Sequence, residues 1–281
     1  MTRTQDQEPI VVKPRPDGEG RKLETEVEIE APPEAVWRAL TEAGELTRWF
    51  PPQARVEPGA GGSIWMSWDG KAEGTNRIEI WEPNRHLRTA WSEVGAPVRL
   101  AVDFHLEGEG GRTVLRLVHH GFSADAEWDG MFDGIRRGWS YELRGLRHYL
   151  ERHRGTDRIV ARADRAIGGL PVAEAFRRLL SARGLAAEGS LGGLVEGDRY
   201  AITTAGGDRL EGTVRYREEP TDLALVVDNW NDGLLRLGIE RWAGPDSPLE
   251  AHLWLATWGV AADRVAALQE HWETLLAGAL A

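Results

Sequence analysis

The sequence predicts an α+β protein in which one layout occurs twice, each time as an antiparallel sheet followed by a long C-terminal helix. Segments that alternate apolar and polar residues between turn signals indicate the strands. Two closing segments with apolar residues three and four positions apart indicate the helices. A length of 281 residues also agrees with two domains of roughly 150 residues each.

The first copy of the layout can be followed element by element. The alternating run from Leu23 to Glu30 has the period of a strand with one buried face. Pro32-Pro33 then opens a segment of helical spacing, which we interpret as two short helices broken near Gly44. Short alternating segments from 54 to 120 predict an antiparallel meander. Apolar residues from about Asp125 to Arg152 predict one helix long enough to cross the whole sheet.

The second copy repeats these landmarks in the same order. The segment from Pro33 to Leu40 is similar to the segment from Pro171 to Leu180, and Trp139 in the first closing helix corresponds to Trp272 in the second. We interpret this as a tandem duplication with its boundary near residues 154–157. The predicted domains are therefore residues 21–154 and a degenerate second copy at residues 155–281. The polar, proline-containing residues 1–20 predict a flexible N-terminal tail.

Composition excludes several classes of function. A formal net charge of −11 makes nucleic acid an unsuitable partner. The absence of cysteine rules out disulfides, thiolate nucleophiles, iron–sulfur clusters and cysteine-type zinc sites, and it is compatible with a cytoplasmic protein. No run approaches the ~18 apolar residues of a membrane span. We therefore expect a soluble chain without a cofactor or metal.

Four motifs resemble a known family. They are the run from Ala31 to Thr41, the pair Trp49-Phe50, the pair Gly61-Gly62, and the closing pattern from Gly138-Trp139 to Leu150-Glu151. Together they resemble the SRPBCC superfamily, and within it the branch of activators of the chaperone ATPase. The likeness covers about residues 23–153. The second half resembles the family only through the internal repeat, because it lacks the Trp-Phe and Gly-Gly pairs.

The resemblance implies a helix-grip, START-like fold, in which a curved antiparallel sheet wraps a long C-terminal helix and leaves a cavity between them. Members of the superfamily bind lipophilic molecules such as lipids, hormones and polyketides, and a minority catalyse cyclisation, dehydration or hydrolysis. The tandem layout is also similar to helix-grip proteins encoded with enediyne and other polyketide antibiotic pathways. We accordingly expect two tandem helix-grip domains.

The pleat of each strand identifies the residues that would face such a cavity. Charged residues mark the outer face, so their neighbours in sequence should point towards the long helix. The candidate ligand-binding residues are Met66, Trp68, Thr89, Trp91, Phe104, Leu117, His119, Phe132, Trp139 and Leu143. Thr89 and His119 are the polar candidates that would orient a ligand. In the alternative interpretation the apolar members fill a core and His119 is a structural imidazole.

Three functions remain open at this stage. The leading hypothesis is binding of a hydrophobic, polyaromatic or polyene small molecule, in its sharpest form a polyketide-type intermediate or product that is carried or sequestered for self-resistance. The second is a cyclase or dehydratase in which His119 moves a proton, although no catalytic motif is present. The third is a partner-binding module like the chaperone-ATPase activators. His119-His120 is a weak metal signal because adjacent strand residues point to opposite faces.

Overall fold

The computed structural model describes residues 10–18, 20–91, 99–109, 111–241 and 247–281. The chain divides into two compact units, residues 1–155 and 156–281, and each contains one antiparallel sheet and one long C-terminal helix. This arrangement confirms the predicted α+β class with two tandem helix-grip domains. None of the helices in the described part of the chain combines the length and the apolar content that a membrane crossing needs.

The first unit is built on an eight-stranded sheet. Its strands are β1 (Lys13–Asp17), β2 (Gly20–Ile29), β3 (Gln53–Glu57), β4 (Ser63–Ser67), β5 (Glu73–Glu82), β6 (His86–Trp91), β7 (Leu100–Glu109) and β8 (Arg112–Phe122). They lie in the order β1-β2-β8-β7-β6-β5-β4-β3, and every neighbouring pair is antiparallel. The second strand β2 therefore pairs with the last strand of the unit, β8.

Three helices complete the first unit. Two are short, α1 (Pro33–Thr41) and α2 (Ala43–Leu46), and they meet at Glu42, next to the predicted break. The long helix α3 (Asp129–His148) is shorter than the predicted element. A single 3-10 turn at Ala126–Trp128 precedes it and a wider π-helical turn at Tyr149–His153 follows it. The apolar spacing thus extends beyond the α-helix into both flanking turns.

Part of the predicted tail is a strand. Residues 1–9 lie outside the described residues, but Lys13–Asp17 form β1 at the edge of the sheet, and Ile10 and Val12 are buried. Pro14 and Pro16 suggested an unstructured segment. They fit this position because proline has no backbone N–H to donate, and one side of an edge strand needs no hydrogen bonds to a neighbouring strand.

The second unit repeats the arrangement with fewer strands. Its sheet contains β9 (Arg158–Ala166), β10 (Arg199–Thr203), β11 (Arg209–Glu218), β12 (Asp222–Val227), β13 (Gly233–Glu240) and β14 (Glu250–Trp258), in the order β10-β11-β12-β13-β14-β9. Its helices are α4 (Val172–Leu179) and α5 (Ala262–Ala279). The strand before the long helix, β14, pairs with β9, as β8 pairs with β2 in the first unit.

Candidate functional site

A cavity of about 410 Å³ lies inside the first unit, between the sheet and α3. Strands β4 to β8 form one wall, α3 forms the facing wall, and α1, α2 and the turn after α2 close one end. The lining residues are predominantly apolar and aromatic. This is the composition of a site for a small lipophilic molecule rather than for a charged one.

Two rows of side chains on β6, β7 and β8 form much of the sheet wall. Thr89 pairs with Val102, and Val102 pairs with His119, so these three residues occupy one row on the inner face. Leu87 and Phe104 form the next row. Residues directly opposite one another in an antiparallel sheet share a face. The charged residues of β7 point outward, and they correctly predicted that Val102 and Phe104 lie on the inner face.

Aromatic rings fill the opposite wall and the closed end. Trp139 of α3 lies 5.9 Å from Phe104 and 5.8 Å from Phe50, measured between ring centroids. Phe50 stacks on Trp49 at 4.9 Å and meets Trp68 edge-on at 5.3 Å. Trp49 is fixed in turn because its Nε1–H donates to the carbonyl of Ala39 at 2.8 Å. These rings therefore pack against one another and present both faces and edges to the cavity.

His119 is the buried ionisable group of the wall. The indole Nε1–H of Trp139 donates a hydrogen bond to His119 Nδ1 at 3.0 Å. Burial is the main cause that lowers the pKa of His119 to about 3, and the neighbouring His120 lowers it further. The imidazole is therefore neutral at physiological pH. Since Nδ1 is the acceptor, we assign the remaining proton to Nε2.

Seven of the predicted site residues lie in the cavity wall: Met66, Trp68, Thr89, Trp91, Phe104, His119 and Trp139. Leu117, Phe132 and Leu143 do not line it, although all three are buried. Phe132 packs edge-on against Phe122 at 5.0 Å, and Leu117 and Leu143 are completely shielded from solvent. The contact between Phe122 of β8 and Phe132 of α3 brings sheet and helix together at that level, and all three side chains belong to the buried core.

The residues that close the cavity were not among the predicted site residues. The short helices and the following turn contribute Leu40, Leu46, Trp49 and Phe50, and α3 also contributes Met131 and Ile135. The signal was present as apolar residues at helical spacing between Val36 and Phe50. Trp91 and Met131 are each 41% exposed, which places the accessible side of the cavity near the end of β6 and the start of α3.

On the outer face of the same sheet, donor atoms of His86, Asp103 and His105 all lie within 4.8 Å of one another. Such a set could hold a divalent cation. The carboxylate of Asp103 is already engaged, however, because its two oxygens lie 2.7 Å from His86 Nε2 and 2.8 Å from His120 Nε2. Arg88 Nη1 approaches the same carboxylate at 3.4 Å, which disfavours a second positive charge.

The inner face of the second unit is packed differently. Strand β14, the counterpart of β8, contributes Leu253 and Leu255 to an apolar core, and Trp272 of α5 is completely shielded from solvent. The indole Nε1 of Trp272 has no hydrogen-bond partner in the described residues. The tryptophan–histidine hydrogen bond of the first unit thus has no counterpart at this position.

A comparison with known families finds a match within the first unit. The family model described as "Activator of Hsp90 ATPase homolog 1-like protein" matches residues 30–151. Over these residues the first unit is similar to this family. The AHSA1-like match runs from the end of β2 to the turn after α3, so it includes the elements that form the cavity. It confirms the resemblance predicted from the sequence, and it gives the unit a helix-grip fold suited to ligand binding.

Several solved structures are similar to the chain. Protein MLL2253 from Mesorhizobium loti is 27% identical, with 48% of this chain and 99% of that chain covered and a TM-score of 0.43. CalU16 from Micromonospora echinospora is 26% identical, with 52% and 87% covered and a TM-score of 0.41. DynU16, described as a putative protein in the dynemicin biosynthetic locus, is 16% identical, with 94% and 97% covered and a TM-score of 0.41. A comparison with curated proteins finds no match.

Proposed function

We propose that the AHSA1-like unit, taken as the domain over residues 21–154, binds a hydrophobic polyaromatic or polyene small molecule in its cavity. The observation that carries this proposal is the lining itself. Four tryptophans and two phenylalanines surround about 410 Å³ of space: Trp49, Trp68, Trp91, Trp139, Phe50 and Phe104. Burial of apolar surface against such rings supplies most of the affinity for a flat conjugated ligand.

In its more specific form, the proposal is that the protein carries or sequesters a polyketide-type intermediate or product in the cytoplasm, with an enediyne-type molecule as one such ligand. Flat aromatic walls favour rigid conjugated molecules because these lose little conformational entropy on binding. Simple fatty acids fit less well, since their flexible chains must be ordered and their carboxylates need a cationic partner.

A tryptophan-fluorescence titration tests the binding function. Conjugated polyenes, polycyclic aromatics and fatty acids would be added while the absorbance spectrum of each ligand is followed. We expect saturable quenching by the rigid conjugated ligands with no change in their spectra. Ligand binding should also raise the free energy of unfolding by about 2.7 kcal/mol at a ligand concentration 100 times the Kd, which a thermal melt detects.

Two cavity variants and one matched control test whether the fluorescence quenching comes from ligand bound in this cavity. Trp91→Ala and Trp139→Ala each remove an aromatic wall and should weaken binding by roughly tenfold or more. Trp65→Ala removes a tryptophan of the same sheet that stacks under the guanidinium of Arg55 at 3.8 Å and lies outside the cavity lining. The control should keep the affinity of the unmodified protein. Unchanged affinity in both cavity variants would refute the proposed site.

The remaining outcomes distinguish the two alternative functions. A time-dependent change in the spectrum of a bound ligand would favour a cyclase or dehydratase that uses the same cavity. If no ligand binds, a protein partner becomes the better hypothesis, because the family description refers to activation of a chaperone ATPase. Stimulation of such an ATPase by the purified chain would then be the measurement to make.

A further inference from the structure

The hydrogen-bonding state of His119 carries information about the ligand. An indole N–H can only donate, so the 3.0 Å contact from Trp139 Nε1 requires a lone pair on His119 Nδ1. A neutral imidazole with an acceptor at Nδ1 carries its proton at Nε2. Trp139 therefore fixes the tautomer in which Nε2 is a hydrogen-bond donor.

Within the described part of the chain this donor has no protein acceptor. His119 is only 8% exposed, and it lines the cavity. No residue in the described part of the chain accepts a hydrogen bond from Nε2, and this nitrogen is not one of the fully buried polar atoms that lack a partner, so it stays accessible from the cavity. A ligand acceptor that reaches this donor gains a hydrogen bond that no described protein group supplies, so such a ligand would be bound selectively.

The charges around the cavity restrict the kind of acceptor. None of the described lining residues is a lysine or an arginine, and the one charged residue among them is Glu73, at the exposed start of β5. A carboxylate in the cavity would therefore be desolvated without a cation and would also be repelled by Glu73. The acceptor that fits this environment is an uncharged oxygen.

A second polar group lies in the same row of the sheet. Thr89 is 7% exposed, lines the cavity and occupies the position two strands away from His119, with Val102 between them. Two strand spacings correspond to about 10 Å between the two backbones. Thr89 and His119 are thus separated by an apolar stretch that a ring system can cover.

We propose that the cavity selects uncharged conjugated ligands with a ketone or quinone oxygen, and that this oxygen accepts a hydrogen bond from Nε2–H of His119. This inference rests on the proposed binding function and specifies the class of ligand. It also assigns Trp139 two roles, since its ring forms part of the wall and its N–H positions the imidazole proton.

Three probes of similar shape test the inference: anthracene, 9,10-anthraquinone and anthracene-9-carboxylate. We expect anthraquinone to bind roughly fivefold more tightly than anthracene, the ratio that one net hydrogen bond provides. The carboxylate should bind at least tenfold more weakly than the quinone. Equal affinity for anthracene and anthraquinone would overturn the inference while leaving the binding function intact. A failure of all three probes to bind would overturn both.

Variants identify the donor through the ratio of the two affinities. His119→Phe removes Nε2–H and should reduce the preference for quinone over anthracene to about one. Trp139→Phe keeps the imidazole but releases its tautomer, so the preference should fall partway. Phe104→Leu trims the apolar wall and should weaken both ligands while the ratio stays near fivefold. A ratio that survives His119→Phe would exclude His119 as the donor.

Infrared spectroscopy on the unmodified protein provides a readout that does not depend on a variant folding. The C=O stretch of bound, ¹³C-labelled anthraquinone should move to lower frequency relative to its position in an apolar solvent, because a hydrogen bond weakens the carbonyl bond. A bound quinone whose stretch remains at the apolar-solvent position would contradict the proposal.

Discussion

Acid should destabilise the first unit through His119, by an amount that follows from its burial. The pKa of this imidazole is lowered to about 3 in the folded protein, mainly by desolvation, whereas an unfolded histidine titrates near 6.5. Between these two values the unfolded chain binds a proton that the folded chain does not bind. The contribution of His119 to stability is therefore fully present above pH 6.5 and is lost as the pH falls towards 3.

The size of the effect is about 1.4 kcal/mol for each pH unit below 6.5. Protonation of this residue in the unfolded chain should therefore lower the free energy of unfolding at pH 5 by about 2 kcal/mol relative to its value above pH 6.5. His252 in the second unit has a pKa lowered to about 3 for the same reason, so the whole protein should respond more steeply than one histidine predicts. A comparison of variants isolates the contribution of His119.

Urea unfolding at several pH values between 7.5 and 5 provides the assay. His119→Phe should lose about 2 kcal/mol less than the unmodified protein over this range, although its stability at pH 7.5 will be lower because Trp139 loses its acceptor. Phe104→Leu, which has no titratable group, should keep the pH slope of the unmodified protein. Parallel slopes for His119→Phe and the unmodified protein would refute the reasoning, as would an NMR titration of the His119 ring with a midpoint near 6.5.

Three further substitutions test other buried features. In the second unit Arg236 Nε and Nη2 donate to one oxygen of Asp222 at 3.1 and 2.8 Å. Arg236→Met should cost about 3–5 kcal/mol in urea unfolding, because it removes the cation and both of these hydrogen bonds from a buried carboxylate; a cost below 1 kcal/mol would contradict this. A Cβ at Gly238 would lie 2.3 Å from Cε1 of His252, so Gly238→Ala should cost about 1–3 kcal/mol; an unchanged melting temperature would show that the ring moves freely. Tyr149→Phe removes two hydrogen bonds of the phenol oxygen, of 2.6 and 3.0 Å, and should cost about 1–3 kcal/mol; a neutral result would assign these bonds no net stability.

The sequence predicted which face of each strand points inward, because side chains alternate strictly along a strand. Asp103 and His105 lie on the same outer face of β7, and these outward residues correctly placed Phe104, which stands between them, on the inner face. The same parity placed His119 in the wall and His120 beside Asp103 on the outer face. One charged residue in each strand is sufficient for this inference.

The sequence could not predict how deep in the core each inward residue lies. Leu117 and His119 share a face of β8, yet only His119 reaches the cavity. Likewise Trp139 and Leu143 are one turn apart on α3, and only Trp139 lines the cavity. The level at which sheet and helix separate depends on their relative tilt and on the residues that prop them apart. This geometry is set by tertiary packing, which leaves no periodic signal in the sequence.

The short helices show the same limit in another form. Their apolar residues were recognised at helical spacing, but a four-residue segment such as α2 has no fixed orientation of its own. Its position depends on long-range contacts, among them the hydrogen bond from Tyr149 to Glu45 at 2.6 Å. Only this docking brings Leu46 and Phe50 into the cavity wall.

The tautomer of His119 also limits the chemistry that the cavity can perform. With Nδ1 occupied by the Trp139 N–H and a proton on Nε2, the imidazole presents a donor to the cavity and has no free lone pair with which to remove a proton. It can polarise a carbonyl, but it cannot act as a general base without first breaking its bond to Trp139. Among the described lining residues, the carboxylate of Glu73 is the one group that could accept a proton, and it lies at the exposed start of β5. A reaction that requires a base deep in the cavity is therefore poorly supported by this arrangement, whereas recognition of a neutral carbonyl oxygen uses His119 as it stands.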